Sequence, residues 1–265
     1  MTTRIDQWTL NYSNFEGRWQ GTGRWFSRNT QGDLDLQDPV AVIDPTTYDI
    51  TFSDPDNGIW DGSGLFFAPA GRATYAISRQ SYNAGGHCWQ FPGAGGQSSL
   101  NLDPKRRRFG HEINLFRGRS RSMLVLMWEL EDSHWLLQTI GAVGFRCRND
   151  PNPEPHRPVV ESPEVMLEPL QGWQGQAETV RPQPGVEARA SAPVPVAFAP
   201  EQFLRYCCSA TMADGLVFSV PELLPDQPFQ LQIGGLLGPD FFQQISIHFD
   251  ALAQLKAWEQ RRFRP

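Results

Sequence analysis

Lysine is almost missing from this 265-residue chain: only Lys105 and Lys256 occur, and arginine carries the rest of the positive charge. Such a bias reads as genomic base composition. The formal net charge of −6 offers a polyphosphate no attractive field, so no nucleic-acid partner is expected. Cysteine is scarce too. Cys88, Cys147, Cys207 and Cys208 show neither paired CxxC spacing nor the density of a secreted disulfide scaffold, and are read as reduced structural thiols. No apolar stretch approaches the roughly 20 residues of a spanning helix, and no charged start precedes a short apolar run and cleavage site. The expectation is a cytoplasmic protein without a membrane span. Amphipathic helical runs are lacking as well; only residues 199–203 read as one turn. Finally, the chain has no Gly-x-Ser-x-Gly elbow, no phosphate-cradling Gly-x-x-x-x-Gly-Lys-Ser/Thr and no His-Glu-x-x-His, which removes the commonest hydrolase, nucleotide and zinc-peptidase chemistries.

What the chain does have is tryptophan, glycine and a repeat. Gly17-Arg18-Trp19-Gln20-Gly21 returns as Gly172-Trp173-Gln174-Gly175, so one chain carries two copies of a similar unit, each opening on a strand. From Phe15 to Phe26, Trp19, Gly21, Gly23 and Trp25 alternate with Arg18, Gln20, Thr22 and Arg24, the period of a strand with one packed face. Short strands follow at 40–43, 49–52, 64–68, 74–78 and 88–91, separated by Asp-Pro, Asp-Asn-Gly and Pro-Ala-Gly punctuation. Gly93-Ala94-Gly95-Gly96 reads as a loop. Strands at 98–102, 109–116 and 121–131 complete a first unit of eight to ten strands, enough to close a barrel.

Residues 149–166 hold Pro151, Pro153, Pro155, Pro158 and Pro163 among polar neighbours and form a proline-rich linker. The chain thus divides into a barrel over 1–148, the linker, and a shorter barrel over 167–265. Strands are expected in the second at 172–180, 203–210, 216–220, 229–237, 242–249 and 254–263, with Gly238-Pro239-Asp240 as a late hairpin turn.

The opening motif, Gly17, Trp19, Gly21 and Gly23, is similar to the Gly-x-Trp signature of lipocalins and other calycin barrels. Leu231-Gln232-Ile233-Gly234-Gly235-Leu236-Leu237 and Gly238-Pro239-Asp240 extend the likeness, as do Arg106-Arg107-Arg108 before a strand and a last strand with Trp258, Glu259 and Arg261-Arg262. Over nearly its whole length the chain resembles a cyanobacterial family of tandem lipocalin-like proteins of unassigned function. The resemblance implies an all-β fold of two lipocalin-like (calycin) antiparallel β-barrels in tandem, the second smaller. Among calycins, phycobilin lyases hold an open-chain tetrapyrrole during its attachment to a phycobiliprotein. A bilin or other tetrapyrrole is therefore implied as a candidate ligand, and a phycobiliprotein as a candidate partner. Trp19-Gln20-Gly21-Thr22-Gly23 also resembles the opening of haem-binding nitrobindins, but Arg24-Trp25-Phe26 departs from that pattern and only His248 lies late in the chain.

Nine tryptophans are many for this length. Trp25, Trp60, Trp89, Trp128, Trp135 and Trp258 are placed to wall an apolar cup for a flat hydrophobic molecule, against the plainer reading that they fill small cores. Lys105-Arg106-Arg107-Arg108 and Arg117, Arg119 and Arg121 bracket one strand. Arginine grips carboxylates bidentately, yet clustered turn arginines are usually solvated. The expected ligand-binding set is Trp25, Trp60, Trp89, Arg108, His111 and Trp128. The leading function is a binding protein for a small hydrophobic molecule, such as a bilin, carotenoid or lipid. One rival is a phycobilin-lyase-like or cyclase-type enzyme that moves a proton through His111 or Glu112; another is an assembly protein with solid barrels. Carboxylates within strands, Glu112, Glu129 and Glu259, are expected to point outward. His248 shares a face with Gln244 and Ser246, and would line a cavity if Ile245, Ile247 and Phe249 pack against the other unit. Arg261 or Arg262 is expected over Trp173. Strand 121–131, apolar on both faces, is expected to bury one of them between the two units.

Overall fold

A computed structural model describes residues 5–65, 74–186 and 188–265. All the β-ladders are antiparallel, and they form two sheets. The first contains β1 (Gly17–Ser27), β2 (Ala41–Asp54), β3 (Asn57–Asp61), β4 (Thr74–Ser78), β5 (Cys88–Phe91), β6 (Ala94–Ser98), β7 (Arg108–Arg117), β8 (Ser120–Glu131) and β9 (His134–Cys147), in the order β4-β3-β2-β1-β9-β8-β7-β6-β5. The second contains β10 (Gln174–Val180), β11 (Val194–Ala197), β12 (Cys208–Met212), β13 (Leu216–Val220), β14 (Phe229–Gly238), β15 (Phe241–Phe249) and β16 (Leu255–Arg264), in the order β11-β10-β16-β15-β14-β13-β12.

The two orders obey one rule. Each opening strand, β1 or β10, pairs with its successor on one side and with the final strand of its sheet on the other, and the remaining strands run as a meander from that final strand. Among the described residues the second sheet has no counterparts of β3 and β4. The repeated glycine explains why the motif recurs: a β-carbon at Gly21 would stand 1.9 Å from the Gly144 carbonyl oxygen, and one at Gly175 2.3 Å from that of Arg262. In both sheets the opening strand crosses the last strand too closely for any side chain. Trp19 lies on β1, whereas Trp173 sits in the turn just before β10.

The sheets pack back to back. Phe109, Ile113 and Leu115 of β7 with Leu124, Leu126 and Trp128 of β8 form one continuous core with Leu231, Ile233, Ile245, Ile247, Phe249 and Trp258 of the second sheet. The doubly apolar β8 therefore buries one face between the sheets, and the alternate residues Met123 and Val125 serve the interior of the first sheet. Polar seams frame this core. Trp258 donates to Ser98 (2.9 Å), Gln260 to the Pro92 carbonyl (3.1 Å) and Trp128 to the Pro221 carbonyl (3.0 Å).

The heart of one seam is Asp214, whose left-handed backbone (φ 61°) suits an aspartate before a glycine. Its buried carboxylate accepts from Ser122 (2.7 Å) and from both Nη atoms of Arg146 (3.0 and 2.6 Å), and lies 3.4 Å from Arg157 Nη1. Burial alone would raise the Asp214 pKa, but these donors outweigh it and hold it below the ordinary value. The strandless segment after β9 is tied into the same knot through the backbone of Arg157 (3.0 Å) and the Glu154 and Pro155 carbonyls, which accept from Arg146 (2.6 and 2.8 Å).

Several local expectations are corrected. Residues 7–15 form a helix, α1 (Gln7–Phe15), capped by Asp6. Its buried face carries amides as well as apolar rings, so hydrophobic periodicity does not announce it. Gln7 exchanges hydrogen bonds with the Gln90 backbone (3.0 and 2.7 Å) and Asn14 donates to the Phe91 and Ala94 carbonyls (2.9 and 3.1 Å). The helix thereby covers β5, one edge of the first sheet. β4 and β5 are not paired, so the sheet is a curled half-barrel rather than a fully laddered barrel. The two strands expected at 40–43 and 49–52 are one strand, because Asp44-Pro45 falls at the register shift opposite Thr22, where a missing N–H is tolerated. Of the glycine run only Gly93 is in a turn, and Ala94-Gly95-Gly96 open β6; a β-carbon at Gly96 would stand 2.0 Å from the Glu112 carbonyl oxygen, so the bare backbone is what permits the pairing. A helical turn, α2 (Pro163–Leu167), capped by Ser162, ends the proline-rich segment. The segment 203–210 divides into a further helical turn, α3 (Pro200–Phe203), and β12. The strand expected at 64–68 lies partly outside the described residues. No helix among the described residues is long and apolar enough to cross a membrane.

Candidate functional site

The curled first sheet borders two adjoining, half-open chambers, mainly on the side away from the second sheet, about 1130 and 320 Å³ in volume. Gly85, His87, Gln97 and Glu112 line both, so the chambers meet there. Alternation along β7 creates this division of labour. Odd residues from Phe109 to Leu115 face the intersheet core, while Gly110, Glu112 and Asn114 face inward, with the Met127 thioether lying over Gly110, where a β-carbon would stand 2.9 Å from its sulfur.

The smaller chamber is aromatic. Trp60 stacks on Tyr75 with centroids 4.5 Å apart and donates to the Tyr48 hydroxyl at 2.7 Å, and Phe15 and Tyr82 complete the walls. Burial pushes the Tyr48 and Tyr82 hydroxyls far above their usual range, so both remain neutral donors. Cys88, also on this wall, is pushed up to about 12 by burial and the nearby Glu112 charge, which leaves it a thiol.

Beneath the chambers lies a fully buried cation. Arg121 sits in a cage of Tyr48, Phe145, Phe15, Trp19 and Phe116, with guanidinium-to-centroid distances of 4.1, 4.9, 5.0, 5.8 and 5.9 Å. Its Nε donates to Asn114 Oδ1 (2.7 Å) and its Nη2 stands 3.7 Å from Glu112 Oε1. Asn114 and Gln97 in turn donate to Glu112 (2.9 and 3.4 Å). Glu112 thus points inward, contrary to the outward expectation, because Arg121 supplies the countercharge that makes a carboxylate tolerable there.

The larger chamber reaches the surface at the exposed Arg106 and Arg108. Arg108 is paired with Glu129 at 3.1 Å and Arg106 with Asp103 at 3.5 Å, both in solvent. The other arginines of the cluster are structural: Arg117 donates to the Leu237 carbonyl (2.7 Å), and Arg119 donates to the Glu16 carbonyl (2.6 Å) while lying 4.9 Å over Trp19. The arginine cover thus belongs to Trp19 rather than Trp173, since Arg261 and Arg262 pair with Glu259 and Glu178.

Of the residues singled out from sequence, Trp25, Trp60 and Arg108 line the chambers. Trp89 and Trp128 are fully buried in the intersheet core, Trp89 stacked on Trp258 at 6.3 Å. His111 borders the larger chamber, but its ring packs edge-on against Phe109, Trp128 and Phe249 on the intersheet side. Neither of its ring nitrogens has a partner, and burial drives its pKa down to about 3. His111 and Glu112 therefore occupy opposite faces of β7. Tyr48, Tyr75, Gln97 and Asn114 escape sequence reasoning, since no spacing marks them and only the curl of the sheet gathers them. Among the described residues no group of three His, Cys, Asp or Glu side chains is arranged to hold a metal ion.

No protein-family model matches the chain, and no curated protein matches it. Among solved structures, it is similar to a protein of unknown function from the DUF3598 family of Nostoc punctiforme, with a TM-score of 0.67 and 17% identity over 98% of this chain and 100% of that one. At that identity the likeness speaks for the fold: an all-β protein of two antiparallel sheets, one a curled half-barrel, shared with a cyanobacterial protein of unassigned role.

Proposed function

We propose that the chain is a binding protein for a small hydrophobic molecule held in the curled first sheet, and that its two sheets are lipocalin-like units in tandem, the second reduced. One observation carries this: an aromatic chamber of Trp60, Tyr75 and Tyr48 opens into a larger one holding Trp25, with the Glu112 carboxylate at the junction. The size suits a molecule of a few hundred daltons; the smaller chamber has the aromatic wall usual in such sites, while the larger mixes Trp25, Val125 and Met127 with many polar and charged groups. A flat, conjugated molecule with N–H donors and acidic ends, such as a bilin or other tetrapyrrole, matches the set: rings against Trp25 and Trp60, N–H groups toward Glu112, acids toward Arg106 and Arg108 at the mouth. A carotenoid or lipid would use the walls and leave Glu112 unengaged. The resemblance to phycobilin lyases adds a phycobiliprotein as acceptor partner, with Glu112 rather than His111 as the group to move a proton.

The experiment is titration of the purified protein with biliverdin, haem and a fatty acid, followed by tryptophan emission. Saturable quenching that Trp60→Ala and Trp25→Ala weaken supports the proposal. Absence of quenching by all three, with Trp60 unperturbed, opposes it.

A further inference from the structure

The smaller chamber lies in the gap where the first sheet does not close, lined by Tyr75 and Ile77 of β4 on one side and by Cys88 and Gln97 of β5 and β6 on the other. Its wall is largely aromatic. Tyr75 spends one face on Trp60 and is still 40% exposed, so its ring is open to a ligand, and Tyr48, Tyr82 and Phe15 stand round the same space. The amides of this wall are already committed within the protein. Asn83 accepts from the Cys88 N–H (2.8 Å) and donates to the Cys88 carbonyl (2.9 Å). Gln90 accepts from Asn14 (3.0 Å) and donates to Asn11 (3.3 Å), and Gln97 reaches Glu112 (3.4 Å). What the wall leaves for a ligand is ring surface, the His87 imidazole and the Glu112 carboxylate.

Among the described residues that line this chamber, Glu112 alone carries a formal charge. That charge is felt around the wall: after burial, it is what pushes the Tyr75 hydroxyl and the Cys88 thiol above their ordinary values. His87, lowered by burial and then by Arg106, adds no competing charge near neutral pH. Arg121, the countercharge, is fully buried 3.7 Å from Glu112 and does not line the chamber. Five aromatic rings at 4.1–5.9 Å take up part of its field. A cation in the chamber therefore meets the negative end of that pair first.

We propose that the smaller chamber is a cage for a methylated ammonium group, the head of a ligand whose stem passes the neck at His87 and Gln97 into the larger chamber. The inference rests on the reading of the first-sheet chambers as a ligand site and names the chemistry of one end of it. A quaternary ammonium has no N–H to satisfy, so the committed amides cost it nothing; its methyls carry the charge against the rings while Glu112 balances it. A primary ammonium would need acceptors for three N–H groups, and the wall offers one carboxylate that already accepts from Asn114 (2.9 Å). An anion would meet Glu112 with no countercharge on the chamber side.

The test titrates the whole chain with choline and with its neutral isostere, the alcohol in which a tert-butyl group replaces the trimethylammonium, followed by tryptophan emission and calorimetry. The two share shape and apolar surface, so only charge separates them. Choline is expected to bind saturably and at least tenfold more tightly than the alcohol, about 1.4 kcal/mol. Glu112→Gln is expected to level the two ligands. Because that change strips Arg121 of its partner, Tyr75→Leu, at a partly exposed ring, provides a second variant, expected to weaken choline about fivefold and the alcohol less than twofold. Equal affinities for choline and the alcohol overturn the cage, as do choline binding that Tyr75→Leu leaves unchanged and the absence of choline binding. If biliverdin, haem or fatty acid still quenches after such a result, the proposed function stands without the cage. Silence of those three while choline binds as expected would remove the hydrophobic ligand and keep the cage.

Discussion

The two sheets share a strand rule and a glycine crossing, yet they spend their second faces differently. The first buries a cation, Arg121, under an aromatic cage and leaves room above it. At the equivalent register position the second places Phe242, which packs with Phe198, Phe203 and Phe263 into a compact aromatic cluster. The difference teaches that the repeat preserves backbone approach rather than side-chain chemistry: the glycines recur because a carbonyl stands where a β-carbon would be, while the interior is free to change.

The comparison breaks most severely where the sheets are joined. Asp214→Ala leaves Arg146 and Arg157 without their buried anion, and stripping one partner from a buried pair costs about 3–5 kcal/mol. Urea unfolding should show a loss of that size, and a loss below about 1 kcal/mol would mean that the knot at Asp214 does not hold the sheets together.

The core shared by the two sheets is sensitive to pH through His111. His111 is neutral when folded, with a pKa lowered from 6.5 to about 3 by burial. Below 6.5 the unfolded chain takes up a proton that the folded chain refuses. The His111 contribution is therefore intact above pH 6.5 and drains away as pH falls toward about 3, at roughly 1.4 kcal/mol per pH unit. His111→Leu should flatten that slope in denaturant titrations across the window. Asp214 adds a separate loss only lower down, as pH falls below its ordinary 3.8 and through its depressed folded pKa.

Gly21→Ala and Gly175→Ala sharpen the equivalence of the sheets. Each forces a strand apart from a carbonyl oxygen and should cost about 1–3 kcal/mol, with Gly21, the tighter contact at 1.9 against 2.3 Å, the more damaging. Thermal unfolding of the two variants would show it, and a harmless Gly175→Ala would deny the second crossing its role. Smallest is Arg108→Ala. Its ion pair with Glu129 is largely solvated, so stability should change by less than about 0.5 kcal/mol, while affinity for an acidic ligand falls.

Much of this architecture is legible in the sequence, for identifiable reasons. The strands expected at 74–78, 88–91 and 216–220 coincide with β4, β5 and β13, because each is a short run rich in β-branched or aromatic residues. The double apolarity of β8 announces the intersheet core. Three features are hidden. α1 buries amides, so hydrophobic periodicity misses it. β9, the long partner of both β1 and β8, has glycines at 141 and 144 that blur its pattern yet make room for the Trp25 ring and for Asp214. The countercharges are hidden as well: Glu112 with Arg121, and Asp214 with Arg146, lie 9 and 68 residues apart and meet only when strands pair. The candidate site was legible in its tryptophans only in part, since alternation assigns a residue to a face but not to the hollow or filled side of the sheet.

The most direct test of the central claim, that the curled sheet is a hollow binding unit, is a native mass spectrum with an absorbance scan of protein purified from a pigment-producing host. The account predicts an added mass of a few hundred daltons that Trp60→Ala removes, with a visible band if the ligand is a tetrapyrrole or carotenoid. A bare polypeptide mass, unchanged after incubation with biliverdin, haem and fatty acid, would contradict it.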